Sequence, residues 1–178
     1  MKKIALTFGL ISGAVITGVM LISIGMMEGE QINLDSGEWM GYLTMIVAFS
    51  TIFIGIKVHR DKQLNGAISF GKALQLGIYI TLVASAIYIA GWMSYSSATG
   101  DAFMEQYVAA NIEQLQNSGQ TQEKIDEQID ELVKFVDLYN NNVFVKAGMT
   151  FLEIFPVGLL ISLISAAILK RNSSVPTT

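Results

Sequence analysis

Four long stretches of this chain carry almost no charge, and their lengths constrain its fold more than any other feature. Lys3 and Glu28 enclose 24 uncharged residues, 4–27. Glu38 and Lys57 enclose 18, residues 39–56. Lys72 and Asp101 enclose 28, of which 73–95 is the apolar part. Lys146 and Lys170 enclose 23, residues 147–169, with Glu153 as the one charge inside. A spanning helix needs about 20 apolar residues to cross roughly 30 Å of hydrocarbon. At about 1.5 Å per residue the shortest run reaches roughly 27 Å, enough to cross with little tilt. Lipid offers the backbone no hydrogen-bond partner, and these runs do not alternate as barrel strands do, so each is predicted to be a helix.

Composition agrees. The chain is 52% hydrophobic and only 15% charged, against about 25% charged in ordinary soluble domains. That excludes intrinsic disorder and argues against a water-soluble globule. Fifteen acids against eleven bases argue against a nucleic-acid partner. With no cysteine and one histidine there is no thiolate or histidine-cluster metal site to expect. No Walker loop, dinucleotide glycine pattern, nucleophile elbow or His-Glu-x-x-His stretch occurs. The expectation is a protein without catalytic residues, cofactor or metal. Lys2-Lys3 ahead of an apolar run resembles a signal peptide, but the run is too long for an h-region and ends without an Ala-x-Ala site. It is read as a retained span.

Charge bias sets the expected threading, because Lys and Arg near spans stay in the cytoplasm. Lys2, Lys3, Lys57, Arg60, Lys62, Lys72, Lys170 and Arg171 fall on one side with Asp61. The other side holds three bases and thirteen acids. Both termini are therefore expected to be cytoplasmic. Trp39, Tyr42, Trp92 and Tyr95 fall on the outer face, at the level of an aromatic belt.

Residues 98–146 form a polar insert between spans three and four. Asn117-Ser118-Gly119-Gln120 is a turn signal. Met104, Val108, Ile112 and Leu115 precede it at helical spacing, and Ile125, Ile129, Leu132, Val133 and Val136 follow it. Thr121 is placed as an N-cap, with the second helix ending near Tyr139 and Asn140-Asn141-Asn142 breaking it. The prediction is a helical hairpin whose stripes bury each other or the bundle top. A docking surface for a partner, or for self-association through 103–139, is the functional alternative. The acids along its second arm are read as a solvated face, since no calcium-loop pattern is present.

Small residues recur every four positions: Ala5, Gly9, Gly13 and Thr17; Ala14 and Gly18; Ala73, Gly77, Thr81 and Ser85; Gly158, Ser162 and Ala166. Such rows let helix backbones approach closely, and they are expected to form seams within one chain. Glu153 is the one ionisable group inside a span and so the candidate functional or structural hub, together with Pro156 one turn on. Pro156 leaves the carbonyl of Leu152 without its helical donor and is expected to kink the helix. Glu153 can bind Lys146 two turns away, anchor the kink, or take a cation or proton. His59, among cations in the loop after span two, is expected to be solvated.

Residues 151–171, from Phe151-Leu152-Glu153-Ile154-Phe155-Pro156 to Lys170-Arg171, resemble the end of the bacterial domain-of-unknown-function family 4199. Gly41-Tyr42-Leu43-Thr44-Met45 and Ser69-Phe70-Gly71-Lys72-Ala73 resemble two further stretches of that family, in the same order. Its members often have Glu-Pro-Phe-Pro where this chain has Glu153-Ile154-Phe155-Pro156, one proline fewer here. The resemblance implies four spans, a bacterial envelope and a periplasmic insert, and it leaves the activity open.

The fold expected is all-α, an integral membrane four-helix bundle in contact with the lipid bilayer. Its spans fall at 4–27, 39–56, 73–95 and 147–169, with an extracytoplasmic helical hairpin and a disordered tail at 172–178. The function expected is a non-catalytic interaction or assembly module of the bacterial cytoplasmic membrane. The alternative is a small transporter or channel using Glu153 and the Pro156 kink.

Overall fold

The computed structural model describes residues 1–27, 34–100 and 102–171. The expected tail at 172–178 lies outside the described residues. Six helices follow in order: α1 (Lys2–Met27), α2 (Leu34–Gln63), α3 (Phe70–Thr99), α4 (Ala102–Gln116), α5 (Gln122–Asn141) and α6 (Val143–Leu169). Helices α1, α2, α3 and α6 are long and apolar enough to cross a membrane. They pack into one bundle, and α4 and α5 form the hairpin between the third and fourth spans.

The helices outrun the charge-free runs. Lys57, Arg60 and Lys62 lie on the last turns of α2, not in a loop. The hydrocarbon width limits the apolar run, but a helix continues into water for as long as its backbone bonds are made. The turn that follows is short. Asn65 and Gly66 take positive φ values of 51° and 85°, and Ser69 caps α3 by accepting from the Lys72 N–H at 3.4 Å. At the other end α5 runs to Asn141, two residues beyond the expected end, so the Asn triplet breaks the chain only at its last member. Asn142 alone separates α5 from α6, and its Oδ1 accepts from Phe144 and Val145 at 3.0 and 3.3 Å. Those bonds satisfy two of the orphan donors at the start of α6.

Helix α3 is the shared wall of the bundle: α1 packs on one side of it and α6 on the other. Helix α2 bridges α1 and α6, whose backbones do not approach each other closely among the described residues. Phe49, Ile52, Ile56, Leu76, Ile80 and Ile154 are fully buried where these helices meet.

The small-residue rows mark the seams. A Cβ placed on Gly9 would lie 2.5 Å from Val83 Cβ, and one on Gly13 2.9 Å from Ile87 Cβ, both on α3. A Cβ on Gly77 would lie 2.7 Å from Ser162 on α6. Gly158 abuts Thr81, and Gly91 abuts Thr17. These rows therefore pack within the chain, as close backbone approach requires. The Ala14 and Gly18 row differs: Ala14 is exposed, and no atom of another element lies near a Cβ built on Gly18.

The end of the bundle away from the hairpin is closed by the chain itself. Ile68 and Arg171 exchange two backbone hydrogen bonds at 3.0 and 2.9 Å. Arg60 Nη1 donates to the Leu169 carbonyl at 3.4 Å. His59 is buried, not solvated, and its Nδ1 donates to Gln63 Oε1 at 2.8 Å. The cause is local: because α2 stays helical past Lys57, His59 remains on its packed side with Gln63 one turn further along.

Candidate functional site

A polar seam runs along the contact of α3 with α6 and ends under the hairpin. On α3 it comprises Thr81, Ser85, Tyr88, Trp92 and Ser96, spaced three or four residues apart and so on one helix side. In the middle of the bundle Thr81 and Ser162 hydroxyls lie 3.4 Å apart, and each also donates to a carbonyl four residues back. Such back-bonding is the usual fate of a span hydroxyl. The Ser85 hydroxyl is buried without a hydrogen-bond partner.

One turn nearer the hairpin, buried Tyr88 donates its hydroxyl to Glu153 Oε1 at 3.0 Å. Glu153 itself is exposed, while its neighbour Ile154 is fully buried. The carboxylate thus stands on the flank of the bundle, reached from inside by Tyr88. Pro156 is exposed one turn on, and α6 runs through it as one uninterrupted helix. Lys146 does not bind Glu153. Its ammonium donates to Ser96 Oγ at 2.9 Å and sits 5.3 Å from the centroid of the Tyr139 ring. Partners from α3 and α5 outcompete an acid two turns away on the same helix.

Tyr139 ties the hairpin to the bundle. Trp92 Nε1 donates to its hydroxyl at 2.6 Å, and Trp92 stacks on Tyr95 with centroids 5.9 Å apart. Trp92 is therefore a packing residue as well as a member of the aromatic level. Trp39 and Tyr42 face outward, as a belt requires. Burial pushes the Tyr139 phenol above its ordinary range, against the opposing effect of its hydrogen bonds to Trp92 and Thr150.

The hairpin buries less than its stripes suggest. Gly119 turns the chain with a φ of 70°. Of the α5 side chains only Ile125 and Tyr139 are buried. Met104, Val108, Ile112, Leu115, Ile129, Leu132 and Val136 are half-buried. Val133 and Leu138 are each 52% exposed. Thr121 stands at the N-cap position of α5 but makes no side-chain capping bond. An open cleft of about 530 Å³ lies between α4 and α5, floored by Leu115, Leu132 and Phe135.

The family model described as a protein of unknown function, DUF4199, matches residues 7–171. The chain belongs to this family. No curated protein and no solved structure matches it. The DUF4199 match takes in all four candidate spans in part or whole, the Tyr88–Glu153 pair and the complete hairpin. Within this DUF4199 chain, Tyr88 is the partner of Glu153 that the sequence did not single out. It lies seven residues before Tyr95, and Glu153 lies six after Ala147. In antiparallel spans those two counts place both side chains at one depth.

Proposed function

We propose that this DUF4199 protein is a non-catalytic module of the bacterial cytoplasmic membrane that holds another protein through the α4–α5 hairpin. The observation that carries the reading is the uncovered apolar surface of that hairpin. Leu115, Leu132 and Phe135 line an open cleft between its arms, and Val133 and Leu138 are exposed on the same polar arm. The filled centre of the bundle supports the same reading, since Phe49, Ile52, Leu76 and Ile80 leave hydroxyl pairs as its polar content there. The charge bias of the loops supports a threading with both termini in the cytoplasm and the hairpin in the periplasm.

Crosslinkers placed singly along 104–136 in living cells are the test. An intermolecular product that depends on position along the hairpin is expected. Intramolecular products alone would overturn the reading. The second reading, a transporter or channel, is favoured by the carboxylate of Glu153 within a span. It requires that Glu153→Gln abolish a solute or ion flux in reconstituted vesicles while the protein still folds.

A further inference from the structure

We propose that the cleft between α4 and α5 receives a cationic amphipathic helix of a partner protein. The inference rests on the hairpin being a docking element, and it specifies which side is used and by what chemistry. The cleft has an apolar floor of Leu115, Leu132 and Phe135 and a polar rim that includes Gln114, Gln128 and Glu131. A groove between two antiparallel helices with this lining is the shape that takes a third helix by its apolar face.

Charge sets the sign of the partner. The hairpin as a whole is acidic. Residues 102–141 hold eight acids and two lysines, a net charge of −6. A second copy would bring the same charge and be repelled, whereas a cationic helix is attracted and held in register. Glu131, exposed on the rim of the cleft, offers the incoming cation a carboxylate.

The test uses the full chain in phosphatidylcholine nanodiscs, with empty discs as the blank. A photocrosslinking residue is placed at Ser118, in the cleft, or at Ala109, on the opposite side of α4. The probes are a Leu/Lys amphipathic helix about as long as the 15-residue α4 and its Leu/Glu counterpart. The Lys peptide is expected to crosslink at Ser118 and not at Ala109, and to weaken as salt rises from about 50 to 500 mM. Glu131→Gln, at an exposed position that folding tolerates, should weaken binding about threefold. Equal capture of the Leu/Glu peptide, or capture at Ala109 alone, would overturn the cleft proposal and leave a docking hairpin standing. Failure of both peptides at both positions would overturn the cleft proposal too, while the crosslinking in cells described above decides the docking role independently.

Discussion

The Tyr88 hydroxyl reaches Glu153 Oε1 across 3.0 Å, joining the buried side of α3 to an acid on the outer flank of α6. Interhelical hydrogen bonds in membranes average about 0.6 kcal/mol and reach about 1.7. Tyr88→Phe and Glu153→Leu should therefore each lower the unfolding free energy in detergent by about 0.5–1.5 kcal/mol. The double variant should cost less than their sum, since the two share one bond. Glu153→Gln keeps an acceptor oxygen and should cost less than Glu153→Leu. Strict additivity of the single variants would show that the pair is not coupled.

Gly9 and Gly18 lie on one helix and differ in what surrounds them. A Cβ on Gly9 would meet Val83 Cβ at 2.5 Å and the Ile80 carbonyl at 2.9 Å, whereas one on Gly18 would meet nothing. Gly9→Ala should destabilise the bundle by about 1–3 kcal/mol through overpacking. Gly18→Ala should stay within about 0.5 kcal/mol of the parent, as surface changes do. Thermal unfolding of the two variants side by side checks this. Equal effects would mean that the α1–α3 seam is not where the structure has it.

The spans were legible because lipid forbids charge and unpaired backbone, so four charge-free runs leave little freedom. The helix ends were not, because nothing in water stops a helix at Lys57 or before Ala147. The same omission hid the burial of His59, which follows from α2 continuing to Gln63. Glu153 was visible as a lone acid, but its partner was not. Spacing of seven residues puts Lys146 on its side of α6, yet Ser96 and the Tyr139 ring hold that ammonium from other helices. Local spacing says which residues share a face, and it does not say what the neighbouring helix brings to it. Depth matching across antiparallel spans would have pointed to Tyr88.

Tyr139 gives the hairpin attachment a pH signature. Burial holds its phenol above the ordinary range in the folded state, where the unfolded value is about 10. With the folded pKa raised, this contribution to stability is fully present below the unfolded pKa. It is lost as pH rises through the folded one. The parent should therefore lose stability on the alkaline side above about pH 10, and Tyr139→Phe should lose less over the same window. Trp92 fluorescence during alkaline titration reports the same event, since Trp92 Nε1 donates to that hydroxyl at 2.6 Å. A parent and variant with parallel alkaline limbs would remove Tyr139 as the sensitive group.

The threading is open to a direct test because the chain has no cysteine of its own. Single cysteines can then be read one at a time without background. Ser118→Cys sits in the hairpin turn and Asn65→Cys in the turn between α2 and α3, both exposed. The proposed threading, drawn from the basic residues gathered near Asn65 and the acids gathered on the hairpin, has those two turns on opposite sides of the membrane, with Asn65 inside. A membrane-impermeant maleimide added to intact spheroplasts should label Ser118→Cys at once and Asn65→Cys only after permeabilisation. Both turns lie outside the bundle core, so Ser118→Cys should leave folding undisturbed and Asn65→Cys, at a φ of 51°, should cost about 1 kcal/mol, too little to unfold the bundle. The reverse labelling order would invert the threading and move the hairpin, with any partner it holds, into the cytoplasm. Labelling of both positions in intact spheroplasts would mean that the four apolar helices do not all cross.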